Sequence, residues 1–493
     1  MAAIEYVIVG AYIAVLLLLM VYCGHRYHIL YLYFRHKDDG LSEPAAPERL
    51  PRVTIQLPVY NELYVIERLI LAAAALEYPR ELLEIQVLDD STDDTSHIAR
   101  QLADELRDSG YTITYLHRGQ RTGYKAGALA AGLSLASGDL IAVFDADFVP
   151  QPDFLKRTAP YFADQKTGMV QTRWGHVNRS YSLLTRLQAT LLDAHFMLEH
   201  TARSRSGRFF NFNGTAGMWR KRCIEDAGGW QHDTLTEDLD LSYRAQLKGW
   251  QFIYLPDTVT PAEIPVDMNS FKGQQHRWAK GGIETTCKLL PHILAGSQPL
   301  RVKLESFFHL TGNFNYLLVV ALALLTYPAL VIRIERGWTH LAACDLICFA
   351  VAGLPIALYY CIASMEVEKK WLPTFACLPL LMGLGIGLCI NNGRGVFEAL
   401  TGRRSAFIRT PKFKIESRRD TWRHKKYRGM TERVQVCLEL GLGIYFIGAI
   451  LFAFKSGVYM SVPFLSLFCF GFLYVGGLSL CQVCAGGKAV RDL

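Results

Sequence analysis

The sequence predicts an α/β domain set between groups of membrane-spanning α-helices. Apolar residues make up 51% of the 493, and mean hydropathy is positive at +0.15, both above what a soluble chain usually shows. The excess collects before residue 24 and after residue 299, in runs long enough to cross a hydrocarbon core of roughly 30 Å. Between them, residues 50–298 read as soluble: short apolar runs alternate with helix-length stretches, the pattern of a parallel α/β sheet.

The first membrane segment, residues 1–24, centres on Ile4 to Tyr22. No basic stretch precedes it and no small-x-small site follows it, so it reads as a retained helix rather than a cleaved leader. Arg26, Arg35 and Lys37 come next, and positive-inside bias then puts the soluble domain in the cytoplasm. Strands are expected at Val53 to Leu57, Ile85 to Leu88 and Leu140 to Phe144. Ligands of such sheets sit at the carboxyl ends of the strands.

Membrane or interfacial helices fill residues 299–392, with runs near Phe307 to Ile332, Leu341 to Ala363 and Leu372 to Ile390. A basic loop follows at 393–433, carrying Arg403, Arg404, Arg409, Lys412, Lys414, Arg418, Arg419, Arg423, Lys425, Lys426 and Arg428. The last spans, Val434 to Phe454 and Val458 to Val483, lie within 434–485. Such a loop belongs in the cytoplasm, yet three full crossings after a cytoplasmic domain would leave it outside. One segment must therefore be broken or interfacial, either Phe307 to Ile332, with Asn313, Asn315 and Pro328, or Leu372 to Ile390, with its prolines and glycines.

The net charge of +7 is accounted for by the basic loop, which suits a surface facing anionic lipid and gives no reason to expect nucleic acid as a partner. Twelve cysteines are scattered through apolar runs, where a thiol is a small hydrophobe. Cys481 and Cys484 form the one close pair, and without a second pair they do not make a metal site.

Four clusters carry chemistry, in order: Leu88-Asp89-Asp90-Ser91, Phe144-Asp145-Ala146-Asp147, Leu235-Thr236-Glu237-Asp238, and Gln274-Gln275-His276-Arg277-Trp278. Asp145 and Asp147 follow a buried-type strand run and can hold a hard cation, Mg²⁺ or Mn²⁺, against a departing diphosphate. Tyr60 and Glu62 follow the first strand and Asp89 and Asp90 the second, so all four are placed at the base and ribose of a nucleotide. Lys125 offers a charge near the phosphates, although a lone lysine is equally a surface residue.

Transfer to a sugar hydroxyl needs a base, for which Asp238 is the candidate. The plainer reading is a capping box, with Thr236 and Asp238 opening the helix Leu239 to Leu247, and the two are compatible. Arg277 suits a diphosphate and Trp278 a sugar face, while Gln274 adds a hydrogen-bonding amide. The same Arg and Trp would also anchor an interfacial helix.

With these motifs in place the chain resembles the inverting family 2 glycosyltransferases, in the cellulose-synthase-like membrane branch, over roughly Pro51 to Lys288. Val170-Gln171-Thr172-Arg173-Trp174 and Phe212-Asn213-Gly214-Thr215-Ala216-Gly217 look like that family's acceptor-lining segments. Gln275-His276-Arg277-Trp278 with Arg409-Thr410-Pro411-Lys412 leans toward its mannan and glucan-backbone synthases. The resemblance implies a GT-A-like domain in which Asp90, Asp145 and Arg277 meet the donor, Asp145 and Asp147 the metal, and Asp238 acts as base. Trp174, Asn213, Gly214, Thr215, Glu237, Gln274 and Trp278 would line the acceptor. It also implies UDP-glucose or GDP-mannose as donor, a β-linked glucan or mannan product, and export through the protein's own spans, with the basic loop where relatives carry a gating segment.

Only Ala485 to Leu493 follow the last span, so no cyclic-dinucleotide-binding barrel is expected here. Glu439 would either line a sugar path or sit at the edge of its span. The expected setting is a multi-pass protein of a bacterial inner membrane, with accessory export subunits as conceivable partners beside donor, glycan and lipid. Two other functions fit the same motifs: a glycolipid synthase adding one sugar to a lipid, and a transporter or scaffold that only binds nucleotide sugar.

Overall fold

The computed structural model describes residues 2–40, 44, 49–338, 340–427, 429 and 432–489. Arg428, and the side chain of Cys484, lie outside the described set.

Seven strands form one sheet: β1 (Val53–Val59), β2 (Leu83–Asp89), β3 (Thr112–His117), β4 (Leu140–Val143), β5 (Thr167–His176), β6 (Gly217–Arg220) and β7 (Gln251–Ala262), in the order β3-β2-β1-β4-β6-β5-β7. The three expected strands are all present. β1 and β2 read almost continuously buried, as strands covered on both faces do. The sheet is not wholly parallel, however: β6 runs antiparallel to β4 and β5, while β5 pairs parallel with β7. This reversal matters for the site. Gly217, at the amino end of β6, pairs with Val143, at the carboxyl end of β4, so the segment leading into β6 reaches the same rim as the strand ends.

Helices α2 (Ile66–Ala74), α3 (Thr95–Asp108) and α4 (Tyr124–Leu135) connect the first four strands, and α5 (Leu183–Ala194) and α6 (Glu237–Leu247) follow β5 and β6. Ile55, Leu57, Ile66, Leu69, Val87 and Phe144 form the core on one face of the sheet. Leu129, Ile141, Val143, Met169, Trp219 and Leu241 form it on the other.

From β7 the chain enters α7 (Met268–Ala295), capped by the Asp267 side chain, which accepts Ser270 N at 2.8 Å. This helix separates the sheet from the membrane helices. Met268 and Phe271 pack on Leu378, Leu381 and Leu384, and Ala279 and Ile283 pack on Val396.

The remaining helices are α1 (Ala2–His36), well beyond the expected 1–24, α8 (Leu300–Thr311), α9 (Asn315–Glu335), α10 (Leu341–Glu368), α11 (Leu372–Gly387), α12 (Cys389–Leu400), α13 (Arg433–Lys455) and α14 (Val462–Ala489). Taking α8 with α9 and α11 with α12, six segments among the described residues are long and apolar enough to cross a membrane, and the protein is multi-pass in character.

One of the six is made of two helices that meet at Leu388, which caps both. Just before α11, Glu368 pairs with Arg179 of the α/β domain at 2.9 Å; at the end of α12, Glu398 pairs with Lys280 of α7 at 3.2 Å. Both ends thus return to the same side. Of the two segments the charge conflict singles out, Leu372 to Ile390 is the one whose two ends both lie against residues 50–298. At the far side Arg336 pairs with Glu5 at 2.6 Å and Arg333 with Asp345 at 2.8 Å. Glu439 lines no path: it is buried, and Lys272 Nζ donates to its two oxygens at 2.7 and 2.9 Å.

Candidate active site

The strand ends open into a cavity of about 190 Å³. Tyr60, Glu62, Asp90, Lys125, Asp145, Asp147, Trp174, Asn213, Gly214, Glu237, Asp238, Gln274, Arg277 and Trp278 all line it. Each arrives from its own element: Tyr60 and Glu62 after β1, Asp90 after β2, Asp145 and Asp147 after β4, Asp238 on the first turn of α6, and Gln274, Arg277 and Trp278 on one face of α7.

Two expected residues stand behind this wall, which corrects their placement. Asp89 is fully buried, with Oδ1 accepting Ser91 N at 2.9 Å and Oδ2 accepting the Tyr115 hydroxyl at 2.7 Å, so its oxygens brace the β2–β3 ends rather than face a donor. Thr215 is also buried, and its Oγ1 accepts the backbone N–H of Asp145 at 2.9 Å. It holds the Asp145 backbone and does not reach an acceptor. The capping box is absent too: Thr236 makes no side-chain cap, and its hydroxyl meets Thr285 at 3.2 Å. Asp238 is therefore free of that duty, although its own Oδ1 accepts Leu239 N at 2.8 Å.

Lysines stand on both members of the Asp145-Ala-Asp147 pair. Lys125 Nζ is 2.5 Å from Asp145 Oδ1 and donates to Gly214 O at 2.9 Å. Lys412 Nζ is 2.6 Å from Asp147 Oδ2. No group of three or more His, Cys, Asp or Glu side chains suited to a metal occurs among the described residues. Two carboxylates with a diphosphate completing the shell is nonetheless how Mg²⁺ is ordinarily held, and Asp145 stays about one-third exposed to the cavity. The donor set fits a divalent cation that arrives with its phosphates.

Sequence reasoning did not place the next group in the pocket. Phe407, Arg409, Thr410 and Lys412 of the basic loop also line the cavity. Arg277 donates to Ile408 O and, at 3.0 Å, to Thr410 Oγ1; Arg409 pairs with Glu62 at 3.2 Å. Glu263 fixes the stretch from behind by accepting Phe413 N at 2.9 Å and Lys414 N at 2.7 Å. Arg121 stacks on the Tyr60 ring at 3.5 Å, and Arg118 grips both Asp90 oxygens at 2.5 and 2.7 Å. The one sequence signal for these arginines was their closeness to Lys125.

Burial sets the electrostatics. It raises the Asp238 carboxyl well above the usual carboxylate range, with the Glu237 charge adding to the effect and Lys125 opposing it. Glu62 is pushed up to about 8 by burial, against the pull of Arg409, and burial lowers Arg277 to about 10. Asn61, Tyr124 and Ala216, around the rim, all have positive φ, and Gly214 has φ 82°. A Cβ on Gly214 would lie 2.9 Å from Asp238 Oδ2 and 3.2 Å from Lys125 Nζ, so only glycine lets this backbone approach the base.

Residues 51–281 match the family described as glycosyltransferase like family 2. Glucomannan 4-beta-mannosyltransferase 7 of Arabidopsis thaliana is 33% identical over 443 residues, covering 86% of this chain and 77% of its own. Probable glucomannan 4-beta-mannosyltransferase 9 of Oryza sativa subsp. japonica is 35% identical over 464 residues, with 89% and 84% covered. The chain belongs to the family 2 glycosyltransferases, in their cellulose-synthase-like mannan synthase branch. This membership makes it an enzyme of sugar transfer. A solved mannosyltransferase from Pyrobaculum calidifontis, PcManGT, in complex with GDP-Man and Mn²⁺, superposes with a TM-score of 0.52 at 22% identity, over 82% of this glycosyltransferase and 99% of that chain. The shared fold is the GT-A-like one. These curated relatives are plant proteins, and nothing in them favours a bacterial membrane.

Proposed function

We propose that this glycosyltransferase elongates a β-linked mannan or glucomannan backbone from a nucleotide sugar, GDP-mannose or UDP-glucose, and passes the product through its own membrane helices. The observation that carries the reading is the meeting of Asp238 with the Asn213-Gly214 segment inside the cavity that also holds Asp145, Asp147 and Arg277. The named activity of the plant relatives supports the sugar and the linkage.

In this reading Tyr60, Glu62 and Asp90 hold the nucleoside, and Lys125 and Arg277 face the diphosphate. Asp145 and Asp147 would hold a Mg²⁺ or Mn²⁺ whose charge stabilises the departing diphosphate. Trp174 and Trp278 offer ring faces to the acceptor sugar, and the Trp174 indole N–H is buried without a partner, ready for a hydroxyl. Ionised Asp238 takes the proton of the acceptor hydroxyl. The oxygen of that acceptor hydroxyl forms the new bond to the anomeric carbon as the bond to the diphosphate breaks on the opposite face, which inverts an α-linked donor into a β-linked product. The catalytic domain and basic loop face the cytoplasm.

The test incubates purified protein in lipid vesicles with radiolabelled GDP-mannose or UDP-glucose and Mg²⁺ or Mn²⁺, then sizes the product before and after β-mannanase or β-glucanase. A long product cut by one of these enzymes, and absent for Asp238→Asn, is expected. Label found only in an organic-extractable lipid would replace this reading with glycolipid synthesis.

A further inference from the structure

Two histidines hold the amide of Asn213, and the proposed reaction uses neither. His195 and His200 open and close one π-helical turn (His195–His200) that follows α5. Such turns are rare and frequently mark functional sites. Asn213 Nδ2 lies 3.1 Å from His195 Nε2, and Asn213 Oδ1 faces His200 Nε2.

The pairing dictates the protons. An amide N–H donates, so His195 Nε2 accepts and the ring carries its proton on Nδ1, 3.0 Å from Glu199 Oε2. His200 is the complement, donating from Nε2 to the amide oxygen, with Nδ1 buried and unpartnered. Burial also keeps His200 neutral by holding its pKa well below the ordinary value. With nitrogen and oxygen each claimed, the amide cannot flip. Its second N–H is left for the cavity that Asn213 lines with Asp238 and Trp174.

We infer that His195 and His200 are positioning residues that lock Asn213 as a hydrogen-bond donor to an oxygen of the acceptor sugar, seating the attacking hydroxyl against Asp238. The inference rests on the acceptor reading above. Its geometry continues into the membrane: Glu199 accepts the Tyr359 hydroxyl of α10 at 2.8 Å, Arg203 bridges Glu199 at 3.1 Å to Glu305 of α8 at 2.9 Å, and Glu305 meets His25 of α1 at 3.0 Å. Three membrane helices thus hold the seat rigid.

The experiment uses the full chain in vesicles and measures KM for a β-1,4-manno-oligosaccharide acceptor, Kd for the donor nucleotide, and the fraction of donor hydrolysed rather than transferred. His195→Phe should raise acceptor KM about tenfold, the worth of one well-placed hydrogen bond, and raise the hydrolysed fraction while donor Kd stays unchanged. His195→Gln, which can still accept from the amide and donate to Glu199, should restore most of the acceptor affinity. Should His195→Phe fail to fold, Asn213→Asp, which removes the donating N–H without changing size, should show the same acceptor defect. Unchanged acceptor KM in these variants, or equal losses in donor and acceptor binding, overturns the inference. A wild-type protein that transfers sugar to no glycan overturns the functional reading and this inference with it, whereas an active wild type with unaffected variants overturns the inference alone.

Discussion

At the scale of single residues, the proposed chemistry turns on Asp238. Asp238→Asn should lower transfer by roughly 10²–10⁴ while donor binding persists, read by product formation beside nucleotide titration. Its acidity sets a pH dependence. The base works ionised, and burial raises its pKa, so activity should fall as pH drops through a value above the ordinary aspartate range, and Asp238→Glu should shift that limb. Gly214→Ala should cost activity as well, since the new methyl group meets the Asp238 carboxylate; a folded Gly214→Ala protein, judged by thermal melting, that transfers sugar at the wild-type rate would contradict this. Asp89-Asp90 and Asp145-Ala-Asp147 were legible because each directly follows a strand run, and strand ends form the crevice; Glu237-Asp238 instead opens a helix. Which neighbour faces the crevice was not legible. Asp89 and Asp90, or Gly214 and Thr215, are neighbours in sequence, yet one of each pair lines the cavity and the other braces it from behind.

At the scale of elements, the segment Phe407–Lys412 and the cation site are rivals. Lys412 occupies Asp147, so Lys412→Ala should strengthen Mn²⁺ binding several-fold in the absence of donor, measured by electron paramagnetic resonance of the free ion. Equal affinity in the two proteins would contradict the rivalry. Lys272 and Glu439 tie α7 to α13, and replacing Lys272 alone by Met should cost about 3–5 kcal/mol by stranding a buried carboxylate, whereas the double change to apolar residues should cost less. Thermal unfolding of the two variants in detergent distinguishes them. The loop's basic charge could be read from sequence, but not its seat in the pocket, because Lys412 and Asp147 are 265 positions apart and such pairs leave no local periodicity. The reversed strand β6 escaped notice for a different reason: four residues are too few to show alternation.

At the scale of the whole molecule, the hydrophobic runs were legible and their topology was half legible. Positive-inside bias argues that one segment does not cross, and the pairing of both ends of Leu372–Leu400 with residues 50–298 singles out a candidate. Cysteines placed singly at Ser417 and at His340, in a background free of native cysteines, should be labelled by an impermeant thiol reagent from opposite faces of sealed vesicles. Labelling of both from one face would contradict the re-entrant path. That path has a consequence for biogenesis. During insertion the apolar stretch Leu372–Leu400 must be recognised, admitted and turned back, so the arginines and lysines that follow are never dragged through the bilayer. A substitution that made this segment cross instead would deliver a correctly translated protein whose loop emerged in the wrong compartment. Its sheet would be intact, and its cavity would lack the wall that Phe407, Arg409, Thr410 and Lys412 supply.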